Sequence, residues 1–197
     1  MTPSFVRPSA CGTTLRRRWL SPVAWILLAG WCGIVLSAPP AAEYHVKAAY
    51  LFNFGQFVEW PPQAYEAPDA PFVICVVGDD PFGNILDEVV AGESLGEHAF
   101  VIRRFRNPKD ISACHILFIG RTEAGRLDET LRVLKGRSVL TVTDIAGAED
   151  RGAMIVLVND RNRIRMRINV AAAKSSNLAI SSKLLRPAEV VGIEGEQ

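Results

Sequence analysis

The sequence predicts an α/β domain: a three-layer sandwich on a mixed, mainly parallel sheet of about six strands, with a C-terminal antiparallel hairpin. Three observations predict it. Phe72–Val77 is an unbroken apolar, largely β-branched run and Cys114–Ile119 is apolar but for His115, the pattern of strands buried on both faces. Stretches with helical apolar spacing separate such runs, as in parallel βαβ units. Near the end, Arg163, Arg165 and Arg167 alternate with Ile164, Met166 and Ile168, the pattern of a strand with one polar face.

The elements follow in order. Lys47–Pro62 reads KAAYLFNFGQFVEWPP. Val46, Ala49, Tyr50, Phe54 and Phe57 fall on one helical face, and Ala48, Leu51 and Phe52 make the rest largely apolar. Such a helix is expected to be buried all round. Its end is expected at Trp60-Pro61-Pro62, because proline removes a donor and drives the preceding residue out of the α region. Gln63–Pro71 is a loop. The strand Phe72–Val77 stops at Gly78-Asp79-Asp80-Pro81-Phe82-Gly83. A helix follows with Ile85, Leu86, Val89 and Val90 inward. Ala99–Arg104 is the next strand, then Cys114–Ile119 after a loop. Thr122 is expected to cap a helix running to Leu134, with Leu127, Leu131 and Leu134 inward and Lys135-Gly136 as its stop. Ser138–Thr143 is a fourth strand. Met154–Val158 and Arg163–Ile168 form a hairpin across Asn159-Asp160-Arg161-Asn162. Val170–Ser175 is helical, as is a turn at Ser182–Leu185.

Residues 1–42 stand apart from this domain. They hold Arg7, Arg16, Arg17 and Arg18, no acid, and an apolar run from Trp19 to Leu36. That pattern reads as a secretory signal peptide or, alternatively, an uncleaved membrane segment. Either places the domain, residues 43–191, beyond the inner membrane. Residues 192–197 read as a flexible tail. The chain has 22 basic and 21 acidic residues; without the four N-terminal arginines the balance is 18 against 21, or −3. A mildly acidic domain lacks the footprint of a nucleic-acid binder. Cys75 and Cys114 are the only cysteines after residue 42. In an oxidising compartment they most simply pair, the alternative being two buried thiols.

No residue set points to catalysis, a metal or a cofactor. Asp79-Asp80 follow the carboxyl end of the first strand, where open α/β sheets hold ligands, so they are the candidate ligand-binding pair, against the plainer reading of a helix N-terminal cap or turn. They are not a phospho-acceptor pair of the receiver type, because Phe118-Ile119-Gly120 supplies no acceptor aspartate. The glycines around them fit no phosphate-binding fingerprint. His45, His98 and His115 have no metal-ligand spacing. Cys114-His115 point to opposite faces of a strand, which argues against a catalytic dyad. The arginine row at 163, 165 and 167 is the candidate surface for an acidic partner, with Arg103, Arg104 and Arg106 as candidate additions, against the plainer reading of a solvated outer face.

Several blocks together resemble one family. They are Lys47-Ala48-Ala49-Tyr50-Leu51 with Asn53-Phe54, Phe57-Val58-Glu59-Trp60-Pro61, and Gly78-Asp79-Asp80-Pro81-Phe82-Gly83. Cys114-His115-Ile116-Leu117-Phe118-Ile119 and Gly136 with Val139-Leu140-Thr141-Val142-Thr143-Asp144 follow. Gly152, Ile168-Asn169-Val170 and Ile180-Ser181-Ser182-Lys183-Leu184-Leu185 complete the set. In this order and spacing the chain resembles the YfiR family over about Val46 to Val191. The resemblance implies a periplasmic regulator that binds the periplasmic domain of an inner-membrane diguanylate cyclase and holds it inactive. It implies release by an outer-membrane lipoprotein that captures the inhibitor, and a homodimer as a further state. Cys75 and Cys114 match the family's disulfide positions. A second cysteine pair known in the family has no counterpart around Glu149–Val156, so switching through that pair is not carried over. The alternative function is a periplasmic small-molecule-binding module.

Overall fold

A computed structural model describes residues 41–161 and 163–192; of the export segment expected over residues 1–42 all but the last two residues, and of the tail expected over residues 192–197 all but Gly192, lie outside the described residues. Helix α1 (Ala41–Phe57) opens the described chain. Its alanines favour the helix, and Glu43 in the first turn complements the helix dipole. The buried face is not the expected one. Tyr44, Lys47, Ala48, Leu51 and Phe54 point inward, whereas Val46 is 46% exposed. The stripe read from apolar spacing is displaced because a lysine goes inside, paired with acids, so apolar character alone misplaces the inner face. The all-round burial expected of this helix is corrected accordingly.

The helix also ends earlier than the prolines. Val58-Glu59 forms strand β1 (Val58–Glu59), antiparallel to β9 (Ala179–Ile180). The Ser181 N–H donates to the Phe57 carbonyl at 2.8 Å. Tertiary pairing thus takes the last helical turn expected from sequence. Phe52 packs on Phe100 at 5.2 Å between ring centroids. Trp60 packs edge-on against Phe72, and its indole N–H donates to the His115 carbonyl. Both aromatics face the core.

The remaining elements are β2 (Phe72–Val77), α2 (Ile85–Val90), β3 (Ser94–Leu95), β4 (His98–Phe105) and β5 (Ile116–Ile119). Then come α3 (Leu127–Val133), β6 (Leu140–Thr143), β7 (Ile155–Asp160) and β8 (Arg163–Asn169). Helices α4 (Val170–Ser175) and α5 (Ser182–Leu185) precede β10 (Glu189–Val191). All six expected strands are present. The main sheet has eight, in the order β10-β8-β7-β6-β5-β2-β4-β3. The additional ones are short edge or bridging strands of two or three residues, which carry too little periodicity to be read.

Strands β4, β2, β5, β6 and β7 run parallel. The β7–β8 hairpin is antiparallel, with Asp160 opposite Arg163. Arg161 takes φ 51° in its tight turn. Successive strand residues face two separate cores. Ile74, Val76, Ile116, Phe118, Leu140 and Val142 face α1, α2, α4 and α5. Val73, Cys75, Val77, Leu117 and Ile119 face Leu127 and Leu134 on the other side. The architecture is therefore a three-layer α/β sandwich. The helix expected from Thr122 is divided: Arg121–Arg126 is a 3-10 turn, and the α-helix begins only at Leu127. Thr122 is not its cap. The tighter turn carries Glu123 inward, where it is buried.

Candidate functional site

Two crevices lie at the carboxyl ends of the parallel strands. The first is where the chain order reverses, between β2 and β5, the usual ligand position in open α/β folds. Here it is filled from within. Gly78 has φ +83° and no side chain, and the Glu123 carboxylate occupies the space a Cβ would need. Glu123 is buried and paired with Arg126 at 2.7 Å. The candidate ligand pair lies beside it. Asp79 is exposed. Asp80 Oδ1 accepts the Phe82 N–H at 2.8 Å, and Oδ2 meets Arg104 at 2.6 Å. Arg104 also binds Asp87 and the Gly83 carbonyl, and these carboxylates raise its pKa. Asp80 therefore shapes the turn and anchors a neighbouring ion-pair group.

The second crevice lies one strand further, beyond β5, β6 and β7. The sequence reading did not single it out. Lys47 is fully buried and meets Glu43 Oε1 at 2.5 Å and Asp144 Oδ2 at 2.6 Å. The Tyr44 hydroxyl donates to the same Asp144 oxygen at 3.0 Å. Arg121 approaches from the solvent side, 2.8 Å from Glu43 and 3.3 Å from Asp144 Oδ2. The Asn159 amide donates to Glu43 Oε2 at 2.7 Å. Burial works to raise the Glu43 pKa, but bonds from Lys47 and Asn159 and the charges of Lys47 and Arg121 outweigh it and hold the carboxyl below its usual range. Burial, followed by the Asp144 charge, raises the Tyr44 phenol strongly, so it stays a donor. Above this network is an open recess of about 440 Å³, lined by Glu43, Arg121, Asp144, Ile145, Val158 and Asn159 among others.

Local structure sets these groups in place. Glu43 and Lys47 are four apart on α1, hence on one helical face. Asp144 is delivered by the end of β6, where Thr143 Oγ1 donates to the Ile119 carbonyl and accepts the Ile145 N–H. Arg121 follows β5 directly. The available signal was the pair of family-block residues Lys47 and Asp144, which sequence separation of 97 kept apart.

The other candidates fall elsewhere. Cys75 and Cys114 are disulfide-bonded, with Cα atoms 6.1 Å apart, on the α3 side of the sheet. The expected strand start at Cys114 is corrected: β5 begins at Ile116, and Cys114 precedes it. His115 turns away to stack on Phe72, and its Nδ1 accepts the Val73 N–H at 3.0 Å. Burial, with a smaller effect from His98, lowers its pKa to about 4. The arginine row is unequal. Arg163 is exposed, Arg165 pairs with Asp160 at 2.7 Å, and Arg167 is held between Glu149 and Glu189. Arg103 and Arg104 lie on β4, separated from β8 by the four strands β7, β6, β5 and β2, so they do not extend the row. Among the described residues no group of three or more His, Cys, Asp or Glu is placed to hold a metal ion. Among them, too, no helix is long and apolar enough to cross a membrane.

A family model described as YfiR/HmsC-like matches residues 44–189. The chain belongs to the YfiR/HmsC-like family. Among curated proteins nothing matches it. The match spans α1 to the start of β10 and so includes the disulfide, the Lys47–Asp144 pair and the recess. YfiR/HmsC-like proteins are of a regulatory, non-catalytic kind. The disulfide of this YfiR/HmsC-like domain fits an extracytoplasmic compartment, where such bonds persist.

Proposed function

We propose that this protein is a periplasmic regulator that binds the periplasmic domain of an inner-membrane diguanylate cyclase and holds the enzyme inactive, lowering cyclic-di-GMP. The observation that carries this reading is the YfiR/HmsC-like match over residues 44–189. The disulfide and the basic, then apolar, segment before the domain support export. Inhibition works by population shift: the regulator prefers the inactive state of its partner, and its removal frees the active one. Sequestration by an outer-membrane lipoprotein is the proposed release step. The exposed Arg163 and Arg165 are the proposed contact for acidic groups of the partner; Arg167, already flanked by two carboxylates, is the least available of the row.

The test is cellular cyclic-di-GMP in a deletion strain. Deletion is expected to raise it, and the full chain to restore it. A version lacking residues 1–42 is expected to fail because it stays in the cytoplasm. Unchanged cyclic-di-GMP on deletion across several growth conditions would overturn the reading.

A further inference from the structure

The main sheet has an open edge along most of β4. Strand β4 pairs with β2 from Phe100 to Phe105, but β3 covers its other side only at His98 and Ala99. The Phe100 N–H donates to the Glu93 carbonyl on the β3 side at 3.3 Å, and the Phe105 carbonyl accepts the Gly78 N–H on the β2 side at 2.9 Å. Backbone groups alternate sides along a strand, so those of Ile102 and Arg104 point out of the sheet. They have no backbone partner among the described residues. Such a row is a template for a further strand. Side chains alternate between the two faces, and Val101, Arg103 and Phe105 share the α3 side. Val101 is 36% exposed there. Arg103 meets only the Ser112 hydroxyl and the Ala113 carbonyl, both at 3.5 Å, and no carboxylate. Arg106, exposed just beyond, has no side-chain partner among the described residues. Arg104, on the other face, is already neutralised by Asp80 and Asp87.

Register and charge narrow the occupant. A second copy of the chain, paired antiparallel about a two-fold axis, needs that axis at Ile102, Arg103 or Arg104. With the axis at Ile102, the copy's Arg104 falls opposite Phe100, a place already held by Glu93. With the axis at either arginine, that arginine meets its own copy, and like charges directly opposite are destabilising. Charged side chains on an edge strand keep copies apart in this way. The same charges admit a strand that carries acids. We propose that the free edge of β4, Val101–Phe105, docks an extended acidic segment of a partner protein, which adds as a further strand with a carboxylate beside Arg103 and an apolar side chain beside Val101. Main-chain bonds to Ile102 and Arg104 hold the segment, and the alternation on the Val101 face selects it. The surface is separated from the Arg163 row by four strands, and the inference is independent of the cyclase reading.

The experiment uses the disulfide-bonded protein purified from the envelope, with backbone amide shifts as the readout. The probe is the acetylated, amidated peptide Thr-Val-Thr-Glu-Thr-Val-Thr, whose valines and glutamate share one face of a strand. One control carries lysine for the glutamate, and another is N-methylated at the two threonines that flank the glutamate. The glutamate peptide is expected to move the amides of residues 101–106. N-methylation is expected to abolish binding, because it removes the donors that face the edge. The lysine peptide is expected to bind roughly tenfold more weakly, the swing from an attracting to a repelling cross-strand pair. Arg103→Glu is expected to reverse that preference, with amide shifts away from β4 unchanged to show that the fold is kept. No shift change with the glutamate peptide at millimolar concentration would overturn the proposal. Equal binding of the N-methylated peptide, or an unreversed preference in the folded Arg103→Glu variant, would overturn it as well. So would movement of the same amides when the protein alone is concentrated, which would assign the edge to a second copy.

Discussion

Lys47→Met is the perturbation that tests the ion network most directly. Lys47 is, among the described residues, the one lysine or arginine that is fully buried. Methionine keeps most of its volume and flexibility but removes the charge that holds Glu43 and Asp144 together. Breaking a buried pair by deleting one partner costs about 3–5 kcal/mol, because the remaining charge is left without compensation. Asp144 keeps Tyr44 and Arg121, and Glu43 keeps Arg121 and Asn159. The expected loss is therefore at the lower end, about 3 kcal/mol. For a domain of this size that corresponds to a fall in melting temperature of roughly 6–12 °C. Urea unfolding at neutral pH, followed by far-UV circular dichroism and tryptophan fluorescence, measures it. The midpoint should fall with the slope unchanged. A cycle with Asp144→Asn should show coupling, since the two side chains touch. A loss below about 1 kcal/mol with no coupling would refute the reasoning and mean that the pair breaks even against its desolvation.

Two further outcomes follow from the same geometry. Reducing the Cys75–Cys114 bond, which spans 39 positions, should lower stability by about 4 kcal/mol in the chain-entropy account; equal urea midpoints with and without reductant would contradict it. His115 titrates near 4 in the folded domain against an ordinary 6.5, so the unfolded chain takes up its proton first as pH falls. Its contribution is complete above pH 6.5 and is lost between there and pH 4, a change of about 3 kcal/mol. His115→Asn, which keeps an acceptor near the Val73 N–H, should flatten that part of the stability profile; identical profiles would show that the histidine is not the titrating group.

Much of the fold was legible because the relevant signals are local. Phe72–Val77 has no polar residue to offer either face, so a strand covered on both sides is the economical solution, and all six of its residues are buried. The hairpin at Arg163 was legible for the complementary reason: its alternation needs one wet face, and Arg163 and Arg165 have it. Helix α1 was legible as a helix and misread in orientation. Apolar spacing ranks Val46 above Lys47, whereas a lysine between two carboxylates is satisfied inside and a valine is tolerated outside. The turn at Arg121–Arg126 was misread because its 3-10 winding follows from packing Glu123 against Gly78, a contact between distant segments. The recess was not legible at all, since its groups come from α1, the turn after β5, the end of β6 and the end of β7.

By itself the sequence determined the class of the domain, its six principal strands, the two cysteines that follow residue 42, and the family blocks that ally it to the YfiR/HmsC-like proteins. Those properties are set by composition, short-range periodicity and order along the chain. The tertiary structure alone decided which face of α1 is inside and that Glu123 closes the crevice beside Asp79-Asp80. It also decided that the arginines of β4 and β8 stand at separate parts of the sheet, and that Lys47 and Asp144, 97 positions apart, share one hydrogen bond. Each of these depends on where the sheet carries its strand ends, and a charge's cost or benefit is decided by the neighbours it finds there.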